Sequence, residues 1–297
     1  MNMKKKKKGH VAVPFLLAFL LGIIGIGGVA YLLFNQLNGN EDVILKMNGS
    51  FSKPTEEDNT TLLFVLDEDS DPMPLTFLMA RVLPAEKKIV LVSFPSNMLS
   101  VVDGKQDTLA GFYESGGIQR AKDAIATETQ ITVDRYIILD SETFQKICNI
   151  YAGVYYSVPA GTAGFTESTE PQYLGPAQIE KLLTYPMFDQ GESQRSAVAA
   201  DMLCEMLNQT DYDRIVSSMD TNFKTLINMM DTDISSIDYS DKKDALKFMF
   251  TYGSSIASFR IATGTYDEEA DKFILSSTFY DGMAEFFTSE ETTETTE

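Results

Sequence analysis

Residues 11–34 read VAVPFLLAFLLGIIGIGGVAYLLF, a run without one charged side chain, and five lysines at positions 4–8 lie just ahead of it. As a helix the run spans about 36 Å at about 1.5 Å per residue, enough to cross the hydrocarbon core of a bilayer. A cleaved signal peptide has a shorter apolar stretch, about 7 to 15 residues, ahead of a small-residue cleavage site, so an uncleaved anchor is expected here. A helix apolar on every side would otherwise need a large partner layer to bury it, right at a chain terminus. The lysines set the orientation, because basic flanks stay in the cytoplasm. Residues 1–10 are therefore expected as a cytoplasmic basic tail, 11–34 as a transmembrane helix of the cell membrane, and the rest as extracellular.

Charge and composition then narrow the chemistry. The chain carries 24 Lys+Arg against 43 Asp+Glu, a formal net charge of −19. No acid precedes Glu41, so with the five leading lysines set aside, 19 cations face 43 carboxylates. Such a domain has no basic face with which to release counterions from phosphates, and nucleic acid is not an expected partner. The one histidine, His10, sits beside the lysines, and the two cysteines are Cys148 and Cys204. A zinc site of His and Cys lacks ligands, and a Ser/His or Cys/His pair would have its base on the wrong side of the membrane. Both cysteines lie on apolar helical stripes, in SETFQKICNI and AADMLCEML, so buried free thiols are expected rather than a disulfide. Carboxylates, Arg, Lys and Tyr remain to do any chemistry.

Along the chain, residues 35–59 are polar with Gly, Ser and Pro, as suits an extracellular linker with at most one short strand, VILKM. Core signals begin near residue 60. TLLFVL is a short apolar run ending in acids, and LTFLMARVL, PAEKK and IVLVSF read as strand, turn and strand. After Gly116 and Gly117, IQRAKDAIATE places Ile118, Ala121 and Ile125 on one helical face. ITVDRYIIL is then a strand, SETFQKICNI a helix with Ser141 as its N-cap, and VYYSVP a further strand. Helices are expected over 194–209, 223–230 and 242–250, late strands at ASFRIAT and KFILSS, a last short helix at STFYDGMAEFF, and a disordered acidic tail over 288–297. Strands and helices alternate, so the fold class is α/β or α+β, a central sheet flanked by helices. The frequent methionines of the second half read as adaptable core. Asp231, Asp233, Asp238 and Asp241 lack the glycine and closing glutamate of a calcium loop and read as caps and turns.

The order of these elements and several strings resemble the LytR-CpsA-Psr family of membrane-anchored extracellular envelope enzymes. TLLFVLDEDS is similar to the family's opening strand and acidic loop, LTFLMARVLPAEKKIVLVSFPSN to its central hairpin, and DTLAGFYESGG to the loop before a Tyr and Gly-Gly. DRYIILDSETFQKICNIYAGVYYSVP, LGPAQIEKLLTYP, GESQRSAVAADML and MDTDIS match later segments in order. The resemblance implies a domain over residues 60–287 that holds a polyprenyl-pyrophosphate-linked glycopolymer with its lipid in an apolar tunnel between sheet and helices, and transfers the polymer to peptidoglycan. Stabilising a departing diphosphate calls for guanidinium forks and a divalent cation.

Departures from the pattern fall on the charged residues. Where the family has Ser-Ile-Pro-Arg-Asp, this chain has Ser93, Phe94, Pro95, Ser96 and Asn97. The loop Lys is Thr108, an Arg-Ser-Asp is Met73, Pro74 and Leu75, a Gly-Arg is Gly191 and Glu192, and the Arg-rich string after Tyr185 is Pro186, Met187 and Phe188. Arg195 keeps its place. Each charged stabiliser removed typically costs about 2.7 to 4 kcal/mol of transition-state binding, so the family reaction at an ordinary rate is not expected. The resemblance assigns Arg195, Ser96 and Asn97 to substrate binding and no residue to catalysis, and it leaves Glu68 or Asp69 as ligands if Mg2+ is bound, no cofactor being required. The leading expectation is a catalytically degenerate binder or regulator of polyprenyl-linked glycopolymer attachment, with membrane, glycopolymer and peptidoglycan as partners. Two alternatives stay open, a transferase with a site rewired around Arg195, Arg81 or Arg260, and a structural envelope adaptor.

Overall fold

The computed structural model describes residues 53–67, 75–160, 162, 164–165, 170–184 and 188–287. The expected transmembrane run, most of the linker, Glu68, Asp69 and the acidic tail lie outside those residues, and among them no helix is long and apolar enough to cross a membrane. In chain order the elements are β1 (Thr60–Leu66), β2 (Thr76–Leu83), β3 (Lys88–Phe94), β4 (Leu99–Val102), β5 (Lys105–Thr108), α1 (Leu109–Thr129), β6 (Arg135–Leu139), α2 (Ser141–Ile150), β7 (Val154–Tyr156), β8 (Gln172–Leu174), α3 (Pro176–Thr184), α4 (Gly191–Asn208), α5 (Tyr212–Leu226), β9 (Asp231–Thr232), α6 (Ser236–Tyr252), β10 (Ala257–Ile261), β11 (Gly264–Asp267), β12 (Lys272–Leu275) and α7 (Ser277–Phe287).

Six strands form a mixed sheet in the order β10-β3-β2-β1-β6-β9. β2 runs antiparallel to both β1 and β3, whereas β6 joins β1 and β10 joins β3 in parallel. Parallel neighbours need crossovers, and those crossovers carry the helices onto both faces. The period of two in the strands separates two cores. Leu62, Phe64 and Leu66 of β1 belong with Leu78, Ala80 and Val82 of β2 on the face covered by α2, α3, α4, α5 and α6, while Leu63, Val65, Phe77 and Met79 face α1 and α7. Strands buried on both sides read as continuous apolar runs, which is why TLLFVL and IVLVSF show no alternation.

Local chemistry sets the boundaries. The Thr108 side chain accepts from Gly111 N and opens α1, which is interrupted at Gly117, where φ 66 and ψ −163 suit only a residue without a Cβ. The helix read after the paired glycines is thus the second segment of a longer element. Asp140 rather than Ser141 caps α2, its carboxylate accepting from Thr143 N at 2.8 Å, because an N-cap takes extended backbone and Asp140 has it. β6 starts only at Arg135, since Asp134 is held by Thr61 and the preceding residues pair with nothing in the ladder. α5 begins eleven residues before the expected helix at 223, capped by Asp211. The β4–β5 hairpin, which the apolar pattern does not announce, turns at Asp103 and Gly104 with φ 52 and 74, the conformation that Asp-Gly pairs favour. Of the acids read as caps and turns, Asp238 closes a capping box with Ser235 at the start of α6 and Asp233 accepts from Tyr136 N.

Candidate functional site

The β3 strand ends at Phe94, and the loop that follows is folded back on itself and onto α1. Met98 N donates to Pro95 O, Ala110 N to Ser96 O and Leu109 N to Met98 O, so Ser96 is held at the start of α1. α4 arrives from the other side. Its first turn carries Glu192 and Arg195, three residues apart and therefore on one helical face.

Arg195 is 1 % exposed, and each of its guanidinium N–H groups has an acceptor. Nε donates to Glu192 Oε1 and Nη2 to Glu192 Oε2, both at 2.7 Å. Nη1 donates to Thr76 Oγ1 at 2.7 Å and to the Leu183 carbonyl, and Nη2 also to the Leu75 carbonyl at 2.8 Å. A guanidinium has five N–H donors and no more, so this one is saturated by its own protein. Glu192 in turn accepts from Ser96 Oγ at 2.6 Å and from Ser96 N at 3.2 Å, both on Oε2. Burial pushes its carboxyl up, but the hydrogen bonds and charge of Arg195, with the Ser96 donors, outweigh that and hold it below the usual glutamate range.

Two of the three residues assigned to substrate binding are thereby brought together, with Glu192 between them. Asn97 is not part of this cluster. Its Nδ2 donates to Asp271 Oδ1 at 3.0 Å, on the β11–β12 hairpin, where Phe273 N also donates to the Asn97 carbonyl. Thr76 and Glu192, as partners of Arg195, were not read from the sequence. The spacing of Glu192 and Arg195 carries a signal for their pairing, whereas Thr76 is 119 positions away and carries none. Arg81 lies five residues along β2 from Thr76, about 17 Å at the rise of a strand, and donates to Thr61 Oγ1. Arg260 Nη1 donates to the Phe259 carbonyl.

Between the sheet and the helices that cover one face, the core is hollow. Two adjoining cavities, about 340 Å³ and 280 Å³, lie between the sheet and the helices and share Leu62, Phe64, Ile147, Tyr151 and Phe250 as walls. The larger reaches a polar rim at Asp58, Arg135, Asp238 and Lys242. The smaller reaches Thr76 and Leu183, two of the groups that hold Arg195. An apolar compartment therefore runs along one face of the sheet and reaches Thr76 and Leu183, the partners of Arg195 Nη1. A compartment lined in this way suits apolar guests.

For a divalent cation the described residues offer less. No group of three or more His, Cys, Asp or Glu is placed to hold a metal among them. Asp67, at the start of the acidic loop, accepts from the Tyr113 hydroxyl at 2.8 Å, and burial together with that carboxylate pushes the Tyr113 phenol up. Glu68 and Asp69 lie outside the described residues, and no step is assigned to Mg2+.

A mixed sheet between helical layers, hollowed on one side into an apolar compartment that reaches the partners of a buried arginine, defines an α/β protein with a central sheet flanked by helices. The chain belongs to the LytR_cpsA_psr family, whose model matches residues 70–295. A polyisoprenyl-teichoic acid–peptidoglycan teichoic acid transferase, TagU, of Enterococcus faecalis is 21% identical over 258 residues, covering 80% of this chain and 84% of that protein. The TagU of Bacillus subtilis is 24% identical over 164 residues, and the match spans about half of each chain, 52% and 54%. Among solved structures, a protein of Eubacterium siraeum described as a transcription regulator superposes with a TM-score of 0.70 at 18% identity, covering 80% of this chain and 94% of its own. That likeness is one of fold.

Proposed function

We propose that this protein is a single-pass, membrane-anchored component of cell-wall glycopolymer attachment whose extracellular domain, residues 60–287, holds a polyprenyl-linked glycopolymer precursor and does not turn it over at the rate of an intact transferase. The carrying observation is the apolar compartment that reaches Thr76 and Leu183, the partners of Arg195 Nη1. A polyprenyl chain is an apolar guest of the length a channel suits, and each CH2 taken from water into it contributes about 0.8 kcal/mol. The family supports cell-wall glycopolymer attachment as the setting. Anchoring rests on the apolar run of residues 11–34 and its flanking lysines, which set the domain on the outer face. Loss of turnover rests on the uncharged Ser96, Asn97 and Thr108 and on the saturation of Arg195, which together leave few donors for a departing diphosphate.

The test is mass spectrometry of lipid extracted from the full-length protein, purified from its native membrane in mild detergent, compared with I147F. Ile147 is a wall of both cavities, and a Phe ring there displaces about two CH2 of a guest, roughly tenfold in retention. A polyprenyl species in the wild type, reduced in I147F, is the expected result. A wild-type protein free of polyprenyl lipid, or equal retention in the two, would overturn the reading. Carrier release from a lipid-linked glycopolymer in the presence of peptidoglycan, at a rate matching an intact family member, would establish an active transferase with a rewired site instead.

A further inference from the structure

Three donors converge on a single oxygen of Glu192: Arg195 Nη2 at 2.7 Å, Ser96 Oγ at 2.6 Å and Ser96 N at 3.2 Å. The other oxygen takes Arg195 Nε at 2.7 Å. A guanidinium fork, a hydroxyl and a loop backbone N–H, gathered beside the start of a helix of 18 residues, are parts from which proteins build a cradle for a phosphoryl group. Here the oxyanion in the cradle is the protein's own. We propose that Glu192 is an internal substitute anion, whose carboxylate fills a diphosphate cradle made by Arg195 and Ser96 and holds it shut.

The surroundings fit a filled cradle better than a helix-stabilising ion pair alone. An ordinary i, i+3 pair on a helix surface needs no third partner, yet Ser96 comes from a loop 96 positions away and spends both its N–H and its hydroxyl on the same carboxylate. The side chain of Glu192 is 18 % exposed and that of Arg195 1 %, so the carboxylate is the layer between guanidinium and solvent. Removing it opens the guanidinium to an outside anion. The remaining contacts of Arg195, to Thr76, Leu183 and Leu75, do not involve Glu192 and keep the guanidinium plane where it is. Thr76 and Leu183, which hold Arg195 Nη1, also line the smaller cavity, so Arg195 joins the cradle to groups on the wall of the apolar compartment. A tethered carboxylate competes at an effective concentration that a dissolved anion must exceed. Placing a lipid-linked diphosphate in this cradle rests on the function proposed above, and the anion affinity itself is measured without lipid.

The experiment titrates full-length protein in detergent with inorganic pyrophosphate, by calorimetry and by thermal shift. Wild type is expected to show no saturable binding. E192A is expected to bind at least about tenfold more tightly than wild type, with a melting temperature that rises with pyrophosphate. E192Q keeps the size and removes the charge, so it should gain in the same direction, and it serves where E192A does not fold. The gain should vanish in E192A/R195M. Wild type binding pyrophosphate as tightly as the variants would overturn the proposal, as would a folded E192A or E192Q that binds no better than wild type, or a gain that survives loss of Arg195. Polyprenyl lipid in the same samples reads the proposed function separately, so lipid-free protein with gained pyrophosphate binding would sink that reading and leave this one standing.

Discussion

The Glu192–Arg195 pair makes an asymmetric prediction about stability. Consider R195M and E192M, which keep apolar bulk and remove one charge each. In R195M, Thr76 Oγ1 can keep its own hydrogen bond to the Leu183 carbonyl, at 3.2 Å, so those two groups remain satisfied. Glu192 keeps both Ser96 donors and has 18 % of its side chain in solvent, leaving the Leu75 carbonyl as the main orphan. That orphan and the lost charge-assisted bonds together cost about 3 kcal/mol. In E192M the stranded charge is Arg195, only 1 % exposed in the wild type and kept covered by the Met side chain, so the cost rises to about 4 to 5 kcal/mol, the range for breaking a buried pair. The double variant removes both charges and should recover at least about 2 kcal/mol relative to the sum of the two. Urea unfolding followed by circular dichroism measures all four proteins. Glu192 is held below the ordinary glutamate range, so its contribution is full above that range and is lost as pH falls through the depressed value. The coupling should therefore shrink on acidification and be steady at neutral pH. Single costs that add within about 0.5 kcal/mol, or an R195M that is the less stable of the two, would refute the reasoning.

Two further outcomes test the fold. Cys148 and Cys204 are 0 % and 5 % exposed, and burial pushes their thiols up to about 12 and about 11, so a thiol reagent at neutral pH should label neither in the native domain and both in denaturant. D140A removes the acceptor for Thr143 N at the start of α2 and should cost about 1 kcal/mol in the same urea assay, with S141A costing less because Ser141 is not the cap.

Much of the fold was legible because its signals are local. The continuous apolar strands, the glycine break before IQRAKDAIATE and the apolar stripes around both cysteines are one-dimensional patterns with direct structural causes. Misreadings came where two local readings compete. Asp140 and Ser141 are adjacent cap-type residues, and only the backbone conformation at Asp140 decides between them. The Asp-Gly turn at Asp103 has no strand signal beside it in the sequence, because β5 is KQDT, polar and mostly exposed, with no apolar alternation. At the site, the family resemblance assigns Ser96, Asn97 and Arg195 alike, from their places in the matching strings. Adjacent residues in a loop point in different directions, and Asn97 turns to Asp271 instead.

What the sequence determined by itself is the set of materials: an uncharged run behind five lysines, strands apolar on both faces, and an acidic domain with one arginine left at the family's helix start. These follow from composition and period, which need no neighbours to be read. The tertiary structure alone decided that the core on one face is hollow, that the hollow reaches two of the groups that hold Arg195, and that the donors of Arg195 are all spent on Glu192, Thr76, Leu75 and Leu183. The reason is that an empty volume and a saturated donor are properties of groups brought together from distant parts of the chain, and no local pattern records how completely they meet.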